Sequence, residues 1–368
     1  MALSCRKLVT VPILIAMITV GCSDDDGQPP VDAGVDGQAD AEVEVDAAPP
    51  SYCESLGLTE RAFVAADPEE ATAIHQLAAD ISIPTRDGLF VLSERWTGCD
   101  TYLFIPDQPV QVGSGWSYGP WDRVLDLQAL YRALPRNTHV FFYSLETIPG
   151  DIADVLDPLQ EKLDAVFGDM DAEEREWWEA HTHLMHRRVT DLDEWLRHQL
   201  RTPGFGTVID RLQRIRYIGN FGDHARGWNQ YGGSGPNIAM VANEAVYYNR
   251  QAALQDHMDN QNATVVTLWE TDPLAAGGGG AFPVTVTLPD AATMAGFDTL
   301  ELELEMTCVG SGEFGDCPAW DYDVFLRMCD DVNQAECTRE IGHWITTYHR
   351  IGRYVNDLST LGGGDAVF

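Results

Sequence analysis

From residue 51 to about 254 the apolar positions switch between strand-like and helix-like spacing. GLFVLSE (88–94) and TYLFIP (101–106) read as strands, WDRVLDLQALYRAL (121–134) as a helix and THVFFYSL (138–145) as a buried strand. A long helical stretch is predicted from Asp151 to about Arg201, with Asp171, Glu173 and Glu174 placed for a helix N-terminus, where carboxylates oppose the positive end of the backbone dipole. FGTVIDRLQRIRYIG (205–219) reads as two short strands joined by a turn, and NEAVYYNRQAALQDHM (243–258) as a closing helix. This order predicts an α/β layer fold.

Beyond Asn262 the pattern changes to strands without helices. ATVVTLWE (263–270), FPVTVTLP (282–289) and DTLELELEMTC (298–308) follow one another across turn-rich segments such as DPLAAGGGGA. In the last strand Leu300, Leu302, Leu304 and Met306 alternate with Glu301, Glu303 and Glu305, which predicts one face on a core and one in water. DYDVFLRM (321–328) puts Tyr322, Val324, Leu326 and Met328 on one face and Asp321, Asp323, Phe325 and Arg327 on the other. REIGHWITTY (339–348) continues the series, and the set suggests a β-sandwich or jelly roll. The glycines of AGGGGA precede no helix and are not read as a phosphate cradle.

The first 22 residues and the charge decide the compartment. MALSCRKLVTVPILIAMITVGC has Arg6 and Lys7 ahead of an apolar stretch that ends in Gly21-Cys22, and it resembles a bacterial lipoprotein signal. That resemblance implies a lipidated Cys22, an anchor in the membrane and a place in the cell envelope outside the cytoplasm. A plain secretory signal or a single membrane anchor is the competing reading. Residues 23–50 carry nine acids and no base, and read as a solvated tether. The net charge of -35, from 58 Asp plus Glu against 23 Lys plus Arg, repels a phosphate backbone and excludes nucleic acid as a partner.

Six cysteines remain after Cys5 and Cys22, and an exported chain with an even count predicts three disulfides. Proximity favours Cys308–Cys317 and Cys329–Cys337, which leaves Cys53–Cys99. The absence of a C-x-x-C pair ranks zinc low. His181, His183 and His186 in EAHTHLMHRR invite a metal, but the surrounding Glu179, Arg187 and Arg188 favour a solvated helix face. No cofactor is implied.

Two family resemblances add to this reading. The element order of residues 51–260, with TPGFGTVIDRLQRIRYIG arriving after a helical insertion, is similar to a thioredoxin-like domain. The place of that family's redox pair reads RWTGCDTY with Cys99 alone, so Cys99 is assigned a structural role. Residues 261–368 resemble the N-terminal jelly roll of the peptide-N-glycosidase F family, on Cys308, Cys317, the entry Trp320-Asp321 and the strand Glu340-Ile341-Gly342-His343-Trp344-Ile345-Thr346. The resemblance implies an amidohydrolase that severs N-linked glycans from asparagine in glycoproteins or glycopeptides, with Asp321 as its catalytic carboxylate and Trp320 shaping the pocket. That family's Asp works with two glutamates whose surroundings match no segment here, and only five strands are counted from Asn262. The jelly roll is therefore expected to be incomplete at its C-terminal side, with activity expected only if the remainder is supplied. A non-catalytic glycan- or protein-binding surface lipoprotein is the alternative. A copper site on His343 and His349 is disfavoured, because their spacing on one short strand does not converge on one ion.

Overall fold

The computed structural model describes the backbone of residues 2–10 and then residues 51–107, 110–112, 115–117, 127–145, 152–201, 206–218, 238–273, 283–308, 316–318, 322–329 and 337–359. The chain is mixed α/β, with one mixed sheet and several antiparallel ones.

The elements before residue 261 are β1 (Ala2–Thr10), α1 (Tyr52–Ser55), β2 (Ser82–Thr85), β3 (Gly88–Val91), α2 (Leu92–Arg95), β4 (Thr101–Pro106), β5 (Val110–Val112), β6 (Gly115–Ser117), α3 (Leu127–Ala133), β7 (Thr138–Tyr143), α4 (Ile152–Gly168), α5 (Ala172–His181), β8 (Thr182–Leu184), α6 (Glu194–Arg201), β9 (Thr207–Ile209), β10 (Ile215–Tyr217) and α7 (Ala242–Asn260). Five strands form a sheet in the order β10-β9-β4-β7-β8, with β4, β7 and β8 parallel, β9 antiparallel to β4, and β9 and β10 paired as a hairpin. Every residue of β4 and β7 is buried, which is why both read as largely apolar runs. Leu103, Ile105, Val140 and Phe142 face α3, α4 and α7 through Leu130, Leu156, Leu159, Ala245 and Tyr248. Tyr102, Phe104, Phe141 and Tyr143 face the β2–β3 hairpin and α6 through Ile83, Phe90, Trp195 and Leu196. Gly206 enters β9 at φ 144, and a Cβ there would collide with the Phe104 carbonyl oxygen, so only glycine lets β9 approach β4.

Two expectations in this half are corrected. The stretch from Asp151 to Arg201 is not continuously helical: α5 starts at the N-cap Asp171, whose Oδ1 accepts from Glu174 N at 2.9 Å, and stops at His181. Residues 182–184 then pair with the open edge of β7, Val140 opposite Thr182, because the sheet satisfies their backbone where a longer helix would leave that edge bare. GLFVLSE leaves the strand after Val91 and turns into α2.

The remaining elements are β11 (Ala263–Pro273), α8 (Ala291–Met294), β12 (Leu300–Thr307), β13 (Asp323–Met328), β14 (Arg339–Ile345) and β15 (Gly352–Asp357). They form an antiparallel sheet in the order β11-β1-β12-β15 and a separate β13–β14 ribbon. Leu300, Leu302, Leu304 and Met306 pack on Leu326 and Trp344 of the ribbon, with Val324 and Ile341 alongside. Burial of side chains of this size is worth about 1.5–3 kcal/mol each, so this layer holds the ribbon to the sheet.

Two further expectations fail here. The glutamate face of β12 is not in water: Glu301 and Glu303 are buried. His257 of α7 meets Glu301 at 2.9 Å and Arg353 of β15 meets Glu303 at 2.6 Å, so partners replace the solvent the alternation implied. FPVTVTLP forms no strand over its described residues 283–289, which lie mostly exposed. Among the described residues no helix is long and apolar enough to cross a membrane.

Candidate functional site: the outer face of the β13–β14 ribbon

Cys22, Trp320 and Asp321 lie outside the described residues, as do the acidic segment 23–50 and the AGGGGA glycines. What flanks Trp320 and Asp321 is well defined. Cys317 is within disulfide distance of Cys308, with Cα atoms 5.0 Å apart. His349 Nδ1 meets the Cys317 carbonyl oxygen at 2.9 Å, and the His349 backbone N–H donates to the Pro318 oxygen at 3.2 Å. On the far side the Tyr322 N–H donates to Thr346 Oγ1 at 3.0 Å, while the Tyr322 carbonyl accepts from Thr346 N at 3.0 Å. The chain is thus fixed on both sides of the Trp320-Asp321 step.

Register and strand period then build a face. Phe325 stands opposite His343 and Asp323 opposite Ile345, and a bulge after Leu326 brings Arg327 opposite Glu340. Val324, Leu326 and Trp344 turn to the core. Gly342 is required for this: a Cβ there would collide with the Trp344 ring, which crosses over it and is anchored by Nε1–H donating to Asn356 Oδ1 at 2.9 Å. On the outer face His343 Nε2 is 3.2 Å from Asp323 Oδ1, and its Nδ1 is 3.7 Å from Glu340 Oε1. The His343 and Phe325 rings lie 4.2 Å apart, and the Arg327 guanidinium stands 5.1 Å over Phe325. Phe325 and Ile345 are 44% and 54% exposed. An imidazole between two carboxylates can pass a proton, and an exposed ring beside carboxylates and a guanidinium can meet both the apolar face and the hydroxyls of a sugar.

The three expected cysteine pairs all lie at disulfide distance: Cys53–Cys99 and Cys329–Cys337 have Cα separations of 5.8 and 4.3 Å. His343 and His349 serve different elements, one on the outer face and one holding the Cys317 carbonyl. Among the described residues no group of three or more His, Cys, Asp or Glu is arranged to hold a metal.

A second cluster was not legible in the sequence. His181 and His183 do not line a solvated helix face: His181 closes α5 and His183 is buried on β8, and of the three only His186 is exposed. His139 of β7 meets His183, Nδ1 to Nε2, at 3.0 Å. A column of rings runs Trp96, Tyr102, His139, His181, Trp177 at centroid spacings of 5.6, 5.1, 4.4 and 4.1 Å. Buried Asp100 lies 4.0 Å from His139 Nε2 and accepts from the Tyr52 hydroxyl and Thr97 Oγ1, each at 2.6 Å. Burial, then the neighbouring His181 and Arg95, pushes His183 down to about 3. Burial also lowers His139 and His181, so the three rings are neutral at pH 7. Only the sheet register, β7 beside β8, brings His139 to the other two.

Comparison of the chain with protein-family models, with curated proteins and with solved structures gives no match.

Proposed function

We propose that this chain is an exported, lipid-anchored protein directed at N-linked glycopeptides, with the β13–β14 outer face as its substrate side and Asp321 as the hydrolytic carboxylate. The observation that carries the reading is the Asp323–His343–Glu340 array with Phe325 and Arg327, on the strand that Trp320-Asp321 enters. Asp321 takes the proton of a water that attacks the side-chain amide of the glycosylated asparagine and returns it to the departing nitrogen as the C–N bond breaks, so the glycan leaves as a glycosylamine and the asparagine becomes aspartate. Antiparallel pairing throughout the C-terminal strands supports a jelly-roll-like reading of residues 261–368, and the order β10-β9-β4-β7 supports a thioredoxin-like reading of residues 51–260.

The test is release of glycan from an N-glycopeptide, followed by mass spectrometry of both products. Release is expected once the remainder of the jelly roll is supplied, and none from the same protein carrying Asp321→Asn; release that survives the substitution refutes the assignment. The exposure of Phe325 and Ile345 favours a second reading, retention without cleavage. It is supported if a glycopeptide column retains the protein with no product formed and Phe325→Ala abolishes retention.

A further inference from the structure

The slot between β11 and β12 is held by β1. β1 is antiparallel to both, so β11 and β12 run parallel to each other with a one-strand gap between them. In register, Lys7 stands opposite Leu302 and Leu8 opposite Glu301. In the same register Leu3, Cys5 and Val9 stand opposite Met306, Leu304 and Leu300, and Arg6 stands opposite Glu303.

The segment that joins β11 to β12 has a period that also suits this gap. Pro283–Pro289 alternates Val284, Val286 and Leu288 with Thr285 and Thr287, the period that β12 itself shows. A strand lying between β11 and β12 in sequence and antiparallel to both is a simple up-and-down meander, with residues 274–282 and 290–299 as its connections. Its prolines stand at the two ends, where a missing N–H is tolerated. Among the described residues this segment makes no backbone hydrogen bond, and Val284 is 41% exposed.

We propose that Pro283–Pro289 is the resident strand of the slot once the leader is removed at Cys22, and that Ala2–Thr10 holds its place only in the unprocessed chain. Strand replacement then puts Val284, Val286 and Leu288 beside Leu302, Leu304 and Met306, and Thr285 and Thr287 beside the glutamates. Without it, cleavage would leave the inner edges of β11 and β12 unpaired. The inference rests on the leader reading for its trigger and on the sheet for its geometry.

The experiment compares backbone amide exchange of residues 284–288 in the protein as processed in cells with the full-length Cys22→Ala variant, whose leader stays attached. The mass of the N-terminal peptide reports processing independently. Exchange in the processed protein should be slower by about 100-fold or more, as for a central strand. Equal, fast exchange in both overturns the proposal. If the wild type proves unprocessed, the leader reading fails, and Lys7→Pro in the full chain tests the strand alone by expelling β1. Protection of residues 284–288 in that variant supports the replacement, and its absence refutes it.

Discussion

Acidification from pH 6.5 to 5 should destabilise the five-stranded sheet through the imidazoles packed on it. Burial, reinforced by His181 and Arg95, holds His183 at about 3 when folded, against about 6.5 in the unfolded chain. The folded value is the lower one, so the unfolded chain binds more protons throughout this window. The stabilisation is complete above about 6.5 and is lost as pH falls towards the folded value. One proton is worth about 1.4 kcal/mol per pH unit, so His183 alone removes about 2 kcal/mol between pH 6.5 and 5. His139 and His181, lowered chiefly by burial, add in the same direction. His183→Phe tests the assignment, because Phe141 and Phe90 already flank that ring at 4.4 and 5.0 Å and a phenyl suits the site. The variant should lose about 1–3 kcal/mol at pH 7, since His139 Nδ1 loses its partner, yet its pH slope should flatten by about 1.4 kcal/mol per unit. Urea unfolding at several pH values between 5 and 6.5, followed by tryptophan fluorescence, reads both quantities. Equal slopes in wild type and variant would refute the reasoning.

Three further outcomes follow from packing and pairing. Arg350→Met leaves buried Glu244 without its guanidinium and should cost about 3–5 kcal/mol, whereas Glu244→Leu with Arg350→Met should recover most of that; urea midpoints of the three proteins decide it. Loss of Cys53–Cys99, whose members are 46 residues apart, should cost about 4 kcal/mol on a loop-entropy estimate, read as a lowered urea midpoint of Cys53→Ala/Cys99→Ala. Leu304→Ala, at a fully packed site between sheet and ribbon, should cost about 2–5 kcal/mol, and thermal melting checks it.

Elements were legible where local pattern and tertiary burial agree. β4 and β7 are apolar at nearly every position because the sheet is covered on both faces, and α7 is helical where its spacing said so. Two of the failures share a cause, a partner distant in sequence. Thr182–Leu184 leaves the helix because β7, far earlier in the chain, offers an edge, and Glu301 and Glu303 are buried because α7 and β15 bring His257 and Arg353 to them. The same holds for the candidate site. Asp323 and Phe325 could be assigned to an outer face from period two alone, but their contact with His343 depends on the β13–β14 register and its bulge.

The fusion of an α/β part to a β part has a physical basis in α7. One side of this helix gives Ala242, Ala245 and Tyr248 to the core of the five-stranded sheet. Other positions reach the C-terminal strands: Gln255 accepts from Arg353 at 2.7 Å, His257 meets Glu301, and the Tyr247 hydroxyl donates to the Ile351 carbonyl at 2.9 Å. The turn that leads into β15 collects these contacts within a few residues. Thr346 pairs with Tyr322, His349 holds the Cys317 carbonyl, and Arg350 pairs with Glu244 under the rings of Tyr247 and Tyr248. The backbone on either side of Trp320 and Asp321 is therefore tied to α7 through a single turn. On this geometry the α/β part acts as a brace for the outer face of β13 and β14, and a change that loosens Glu244 should disturb that face without touching it.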